Sequence, residues 1–424
     1  MTHNTRSARS RALQKLETTS VLSFAAAGRI RRQMRGKRRG SGLLLFPPYA
    51  PGSLGDEAVM AASIDYLEAA GIERIGVVEY SRDNAWSVLR PSVKSVCVPW
   101  SSRLRFLRAP RDFARAVADY DGVVLIGTDV LDGLYSESDT ITRLALAGVA
   151  ARTGTPTSIV SFSVESPTAG ALTAWRSLPH AVRLRPRDPL SAGRLQTWLG
   201  RPHELSADVA FLLRPDQASE RVRLVDQWTR LQRSCGRVIV GVNANAGAPR
   251  YAPELDLEAL VRLYRNTLVR LGELDEELSF ILLPHDWRGT QNDEQLALAL
   301  LQALPEDVRK QCLHVPGPYT AAEAKAMCGY LDLAITGRMH VAVAAIGQGV
   351  PTACIPYQDK VTGLLRHVGT ENMTIDMSAA TRCGSFAGQV GPAVRNRHQI
   401  RETIQAELPR LKRLAELNLT PWTE

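Results

Sequence analysis

The chain has 424 residues, 45% of them hydrophobic and 22% charged, with a formal net charge of +9. This describes a globular protein too long for one ordinary core and excludes a disordered or fibrous chain. Apolar runs such as those at residues 43–46, 123–127 and 341–349 fall well short of the roughly 20 residues that a membrane-spanning helix needs.

The positive charge is local. Residues 1–40 hold eleven Arg or Lys against one acid, Glu17, and the rest of the chain is close to neutral, so no nucleic-acid partner is expected. The basic stretch carries a short apolar patch at 21–27 and no convincing cleavage site, which makes it a poor signal peptide. It reads as a disordered or weakly helical arm. Peripheral contact with an anionic membrane is its second reading, because each basic residue near such a surface adds about 1 kcal/mol. The six cysteines (Cys97, Cys235, Cys312, Cys328, Cys354, Cys383) show no CxxC and no histidine at ligand spacing. They read as reduced, mostly buried side chains of a cytoplasmic protein with no metal site.

After Gly40 strands and helices alternate. A strand at 42–47 leads through a Gly-rich turn into a helix over 56–70. Strands at 75–78, 122–127, 157–164 and 182–184 follow, with helices near 104–119, 168–178 and 191–199. A second series begins after a polar, helix-prone stretch at 216–234. Its strands are expected at 237–243, 278–284, 313–315, 331–336 and 352–356, its helices at 257–271 and 290–304, and a long terminal helix at 396–417. Alternation of this kind means parallel sheets with crossover helices. The expected fold is therefore α/β, with two doubly wound Rossmann-like lobes, 41–220 and 235–395, facing a cleft, and a C-terminal helix over 396–424. Ligands in such sheets sit beyond the carboxyl ends of the strands.

Five segments fall at those ends. Gly52-Ser53-Leu54-Gly55-Asp56-Glu57 opens the first helix and offers backbone N–H groups to an anion or acceptor oxygen, although Asp56 and Glu57 also suit a first helical turn. Asp129 follows the most apolar strand and could bind or deprotonate a hydroxyl; its alternative is to cap the next helix. Arg187 could hold a phosphate or carboxylate as a planar fork, with Asp188 and Pro189 as a plain helix start. His285 is an acid or base candidate, or a structural histidine. The fifth segment is Thr336-Gly337-Arg338-Met339-His340, with Lys360 at the next strand end. Arg338 and His340 open a helix where both can converge on one anion, and Arg338 has no buried acidic partner nearby in the sequence. A small molecule with two acidic groups suits that cluster.

In order along the chain, Gly52–Glu57, Gly127-Thr128-Asp129, Arg187–Ser191, Ala207–Phe211, Gly337–His340, Gly349–Pro351 and Tyr357–Lys360 resemble the motifs of the polysaccharide pyruvyl transferase family. The departures are Ser53, where the family has Asn, and residues 161–167, where a glycine-rich turn is usual. The resemblance implies a glycosyltransferase-B-like fold, phosphoenolpyruvate as co-substrate with no other cofactor, and a saccharide or lipid-linked saccharide acceptor. The implied setting is exopolysaccharide or cell-envelope biosynthesis at the inner face of a membrane. It implies donor binding by Arg338, His340, Arg187 and Lys360, acid and base roles for His340, Asp129 and His285, and acceptor contacts from Gly55, Asp56 and Glu57. No step of that chemistry requires a metal. The alternative is a nucleotide-sugar glycosyltransferase on the same scaffold, since Gly347–Pro351 resembles the corresponding stretch there. Such enzymes usually place a glutamate near that stretch, and here the only acid between Lys325 and Gln358 is Asp332. A saccharide-binding relative without activity is the third reading.

Overall fold

The computed structural model describes residues 42–49, 51–79, 86–98, 109–250, 252, 255–274, 277–288 and 292–422. The basic arm and the first part of the helix expected near 104–119 lie outside the described residues.

Six strands form the first sheet: β1 (Gly42–Phe46), β2 (Arg74–Glu79), β3 (Lys94–Cys97), β4 (Gly122–Thr128), β5 (Thr157–Phe162) and β6 (Arg183–Pro186). All their pairings are parallel, in the order β3-β2-β1-β4-β5-β6. The second sheet contains β7 (Val238–Asn243), β8 (Leu278–Leu282), β9 (Cys312–His314), β10 (Leu333–Thr336) and β11 (Thr352–Cys354). It is also parallel, in the order β11-β10-β7-β8-β9. Both sheets start in the middle and wind outward in two directions, so a crevice opens at β1/β4 in one lobe and at β7/β10 in the other. The central strands are apolar and buried along their length, as GLLLF in β1 and GVVLIGT in β4, because helices cover both faces of a parallel sheet.

Local chemistry sets the helix starts. Ser53 caps helix Leu54–Ala69, its hydroxyl accepting from the Gly55 N–H at 3.2 Å. Asp188 caps helix Pro189–Leu199 by accepting from the Ser191 N–H at 2.8 Å, the plain helix start foreseen for it. Among the elements that escape the periodicity argument, two in the first lobe have clear reasons. Helix Glu137–Arg152 buries Thr140, Thr142 and Arg143 among its apolar residues, which blurs its stripe. Strand β3 is a largely exposed edge with no apolar run. The cysteines also depart from expectation. Only Cys328 and Cys354 are buried, Cys312 is half-buried, and Cys97, Cys235 and Cys383 are exposed and free. Cys97 ends an edge strand, while Cys235 and Cys383 sit at helix ends.

The lobes touch closely. Helix Asp359–Val368 of the second lobe lies against the start of Pro189–Leu199, and a Cβ on Gly363 would sit 2.5 Å from Asp188 Oδ1. The terminal helix Arg397–Glu416 returns the chain to the first lobe. Beyond it Asn418, fully buried, donates to the Ala207 carbonyl at 2.8 Å and accepts from the Ser161 N–H at 3.2 Å. Ser161 takes a left-handed φ of 51° at the point where β5 shifts register.

Asn418→Ala strips the buried Ser161 N–H and Ala207 carbonyl of their partner. It should lower unfolding free energy by about 1–3 kcal/mol, measured as a fall in the urea midpoint at unchanged slope.

Candidate active site

The first lobe brings three strand-end segments to the interface. At the end of β4, Thr128 is held at φ 42°, an unfavourable conformation for a β-branched residue. Strain of this kind costs about 1–3 kcal/mol and persists where the surroundings enforce it. It turns Asp129 out of the sheet. Asp129 does not cap the next helix, because a loop intervenes and Ser136 caps helix Glu137–Arg152. Its carboxylate accepts from the Tyr135 hydroxyl at 2.9 Å and pairs with Lys360 of the opposite lobe. Burial acts upward on its pKa, yet Lys360 and Arg187 outweigh this and hold the carboxyl well below the usual carboxylate range.

At the end of β6, Arg187 is buried at 2% exposure. Its Nη1 donates to Asp208 Oδ2 at 2.6 Å and its Nε to the Ser163 hydroxyl at 2.9 Å, while Nη2 has no hydrogen-bond partner among the described residues. Asp208 lies on the segment joining the lobes and also faces His340 Nε2 at 3.6 Å. Arg187 and then His340 overcome burial and keep Asp208 ionised, far below its ordinary value.

The second lobe contributes a web centred on Asp293. Arg338 donates to it through Nε at 3.1 Å and Nη2 at 2.7 Å, and to Asp286 through Nη1 at 3.3 Å. The Ala246 and His285 N–H groups donate to the same Asp293 carboxylate at 3.0 and 3.2 Å. Arg338 is aimed by its own turn: the Thr336 hydroxyl accepts from the Arg338 N–H at 2.9 Å and donates to Asn243 at 2.8 Å. Arg288 pairs with Asp286 at 2.8 Å and reaches Asp56 across the interface at 4.0 Å. His285 is buried, and desolvation, reinforced by His340 and Arg338, pushes its pKa down to about 3, so the ring is neutral. Like that of His340, its Nε2 has no hydrogen bond among the described residues.

The structure thus gathers Arg187, His340, His285, Arg338, Lys360 and Asp129 at one interface. The residues expected on the acceptor side have separate fates. Gly55 lets the His340 ring approach, since a Cβ there would lie 2.3 Å from Nδ1. The Asp56 side chain is 15% exposed and faces the cleft. Glu57 instead accepts from the Ala321 N–H of the other lobe at 3.0 Å. Among the described residues no group of three or more His, Cys, Asp or Glu is placed to hold a metal ion, and no helix is long and apolar enough to cross a membrane.

The family model for polysaccharide pyruvyl transferase matches residues 54–359. The chain belongs to the polysaccharide pyruvyl transferase family. No curated protein matches the sequence. The two-lobed architecture is that of the glycosyltransferase-B fold, shared with trehalose 6-phosphate synthase from Burkholderia multivorans (TM-score 0.53, 9% identity, 91% of this chain and 98% of that one). Similar values link it to the N-terminal domain of Candida albicans trehalose-6-phosphate phosphatase (0.53, 10%, 92% and 97%). The synthase from Burkholderia xenovorans, solved with glucose-6-phosphate, gives 0.53, 10%, 91% and 100%.

Within this pyruvyl transferase fold, the unusual segment at 161–167 has a physical reading. Ser161 adopts the left-handed backbone that glycine supplies most easily, and its hydroxyl accepts from the Val209 N–H at 3.1 Å. Sequence reasoning missed Asp208, Asp286, Asp293 and Arg288. The available signal was position: Asp286 and Asp293 follow a strand end, and Asp208 sits inside Ala207–Phe211. Arg338, with no buried acidic partner nearby in the sequence, finds two distant ones in Asp293 and Asp286, which follow β8 on the far side of β7 from β10. Arg338→Ala leaves the fully buried Asp293 without its cation. It should therefore cost about 3 kcal/mol of stability even without ligand, read from chemical denaturation.

Proposed function

We propose that this chain transfers the pyruvate unit of phosphoenolpyruvate to a saccharide, free or lipid-linked, as a cyclic ketal with release of phosphate. The setting is exopolysaccharide or cell-envelope glycan biosynthesis, with the enzyme in the cytoplasm where the donor is made and the basic arm against the membrane. One observation carries the reading: Arg187 Nη2, His285 Nε2 and His340 Nε2 are buried at the lobe junction without hydrogen-bond partners among the described residues. Buried nitrogens are normally satisfied, and a compact ligand with a carboxylate and a phosphate would satisfy all three.

In this reading Arg187 and His340 bind the donor's acidic groups, Lys360 adds charge from the rim, and Arg338 holds positive potential behind them. The enol phosphate takes a proton at its methylene carbon, and a sugar hydroxyl attacks the adjacent carbon. A second hydroxyl then closes the ketal as phosphate leaves. Asp129, held ionised, is suited to accept a hydroxyl proton; His340, beside Asp208, is suited to move one. His285, held neutral, offers a hydrogen bond without a charge.

The nucleotide-sugar alternative gains no support from Asp332. This acid accepts from the Ile239 N–H at 2.9 Å and pairs with Arg233 at 3.0 Å, at the strand ends opposite the cleft. Phosphoenolpyruvate should raise the melting temperature of the wild type, and UDP-glucose should not. Arg187→Lys and His340→Gln each remove a charged or directed hydrogen bond of about 1.5–3 kcal/mol. Each should weaken phosphoenolpyruvate binding about ten- to a hundredfold in titration calorimetry. Stabilisation by UDP-glucose alone would transfer the assignment to the glycosyltransferase reading.

A further inference from the structure

Four cations at the lobe junction are each gripped by a carboxylate at 3.3 Å or less: Arg187 by Asp208, Lys360 by Asp129, Arg338 by Asp293 and Asp286, and Arg288 by Asp286. Asp56 is a fifth carboxylate without a cation of its own. Its nearest is Arg288 at 4.0 Å, already engaged by Asp286. No donor hydrogen-bonds its carboxyl among the described residues. It stands in the first turn of helix Leu54–Ala69, one residue after the glycine against which His340 packs.

We propose that Asp56 is the carboxylic acid that carries a proton into this site and delivers it to the methylene carbon of the donor. The proposal rests on the pyruvyl-transfer reading. Of the five carboxylates, Asp56 has the least to hold its charge: no hydrogen bond among the described residues, and a nearest cation at 4.0 Å that Asp286 already engages. The groups facing it are Arg288, His340, Asp129 and Arg143. Burial, aided by Asp129 and opposed by Arg288, His340 and Arg143, pushes its pKa up to about 6. Two other candidates are less suited to donate: Asp129 is held ionised by Lys360 and Arg187, and His285 is held neutral. Asp132 is also pushed up to about 6 by burial, but its carboxylate is turned into its own loop, where it accepts from the Leu134 N–H at 3.1 Å.

The step balances. The Asp56 O–H bond breaks and the π electrons of the enol form the new C–H bond, leaving a cationic carbon that bears the phosphate ester and the carboxylate. A sugar oxygen bonds to that carbon and its proton returns to the Asp56 carboxylate. The second sugar oxygen then displaces phosphate, which leaves with the electrons of the C–O bond, and the second hydroxyl proton passes by way of the Asp129 carboxylate to the phosphate. Asp56 ends as it began.

The test is calorimetric titration of phosphoenolpyruvate near pH 7 in two buffers of different ionisation enthalpy, with Asp56→Asn, an isosteric change, beside the wild type. A bound anion raises the pKa of a neighbouring carboxyl. The wild type should therefore take up a fraction of a proton that Asp56→Asn does not. Phosphate release on nitrophenyl glycosides of galactose, glucose and mannose should fall at least a hundredfold in Asp56→Asn with binding retained. Asp56→Glu keeps an acid in a displaced position, and should retain the proton uptake but lose at least tenfold in turnover. Equal uptake in wild type and Asp56→Asn, or turnover in Asp56→Asn within threefold of wild type, overturns the assignment and leaves the pyruvyl-transfer reading standing. A wild type that does not bind phosphoenolpyruvate at all overturns that reading and this one together.

Discussion

Arg187 and Asp208 pair at 2.6 Å with both side chains 1% exposed, and neither charge could remain there alone. An unpaired ion in such a place would cost several kcal/mol. The pair is therefore a geometric constraint as much as an attraction. Asp208 sits on the segment between the lobes, Arg187 at the end of β6 in the first, and His340 at a helix start in the second, 3.6 Å from the same carboxylate. Ser163, which accepts from Arg187, also donates to the helix cap Asp188 at 2.7 Å, and Asp188 meets Gly363 of the second lobe. Through these contacts one buried carboxylate sets how two sheets, a linker and three strand-end segments meet. The geometry leaves Arg187 Nη2 and His340 Nε2 without hydrogen bonds at their junction.

The second lobe solves the same problem with Asp293. It lies in the first turn of helix Asp293–Ala303, is fully buried, and is bound by two backbone N–H groups and the Arg338 fork. Arg338 is thereby fixed in direction before any ligand arrives, which is the preorganisation that electrostatic stabilisation of a developing charge requires. Lys360 and Asp129 close the front of the site from opposite lobes, and their separation would expose a cation to a donor and a carboxylate to an acceptor.

The fold was legible in the sequence because parallel strands buried on both faces read as short apolar runs, and β1, β4, β7, β8 and β10 do so. The strand ends, and with them Arg187, His340, Asp129 and Lys360, followed from the same pattern. The acidic partners did not. Asp293 is 45 residues from Arg338 in sequence, and they meet because β10 and β8 flank β7 in the sheet. Sequence order carries no record of that adjacency until strand order is known. The alternative role of Asp129 as a helix cap failed for a local reason: the strained turn at Thr128 sends the chain through a loop before the next helix begins. Helix Glu137–Arg152 was hidden by its buried polar residues, among them Arg143, which donates to the Pro47 carbonyl at 2.7 Å.

The proposed donor is a small enol phosphate rather than a nucleotide-sugar, for which the sequence places no acid near Gly347–Pro351 other than Asp332, at the opposite strand ends. Phosphorus NMR of one reaction containing the protein, phosphoenolpyruvate, UDP-glucose and an isolated envelope glycan follows both donors at once. The phosphoenolpyruvate signal should decline as inorganic phosphate grows, with UDP-glucose unchanged. Release of UDP with phosphoenolpyruvate intact would contradict it.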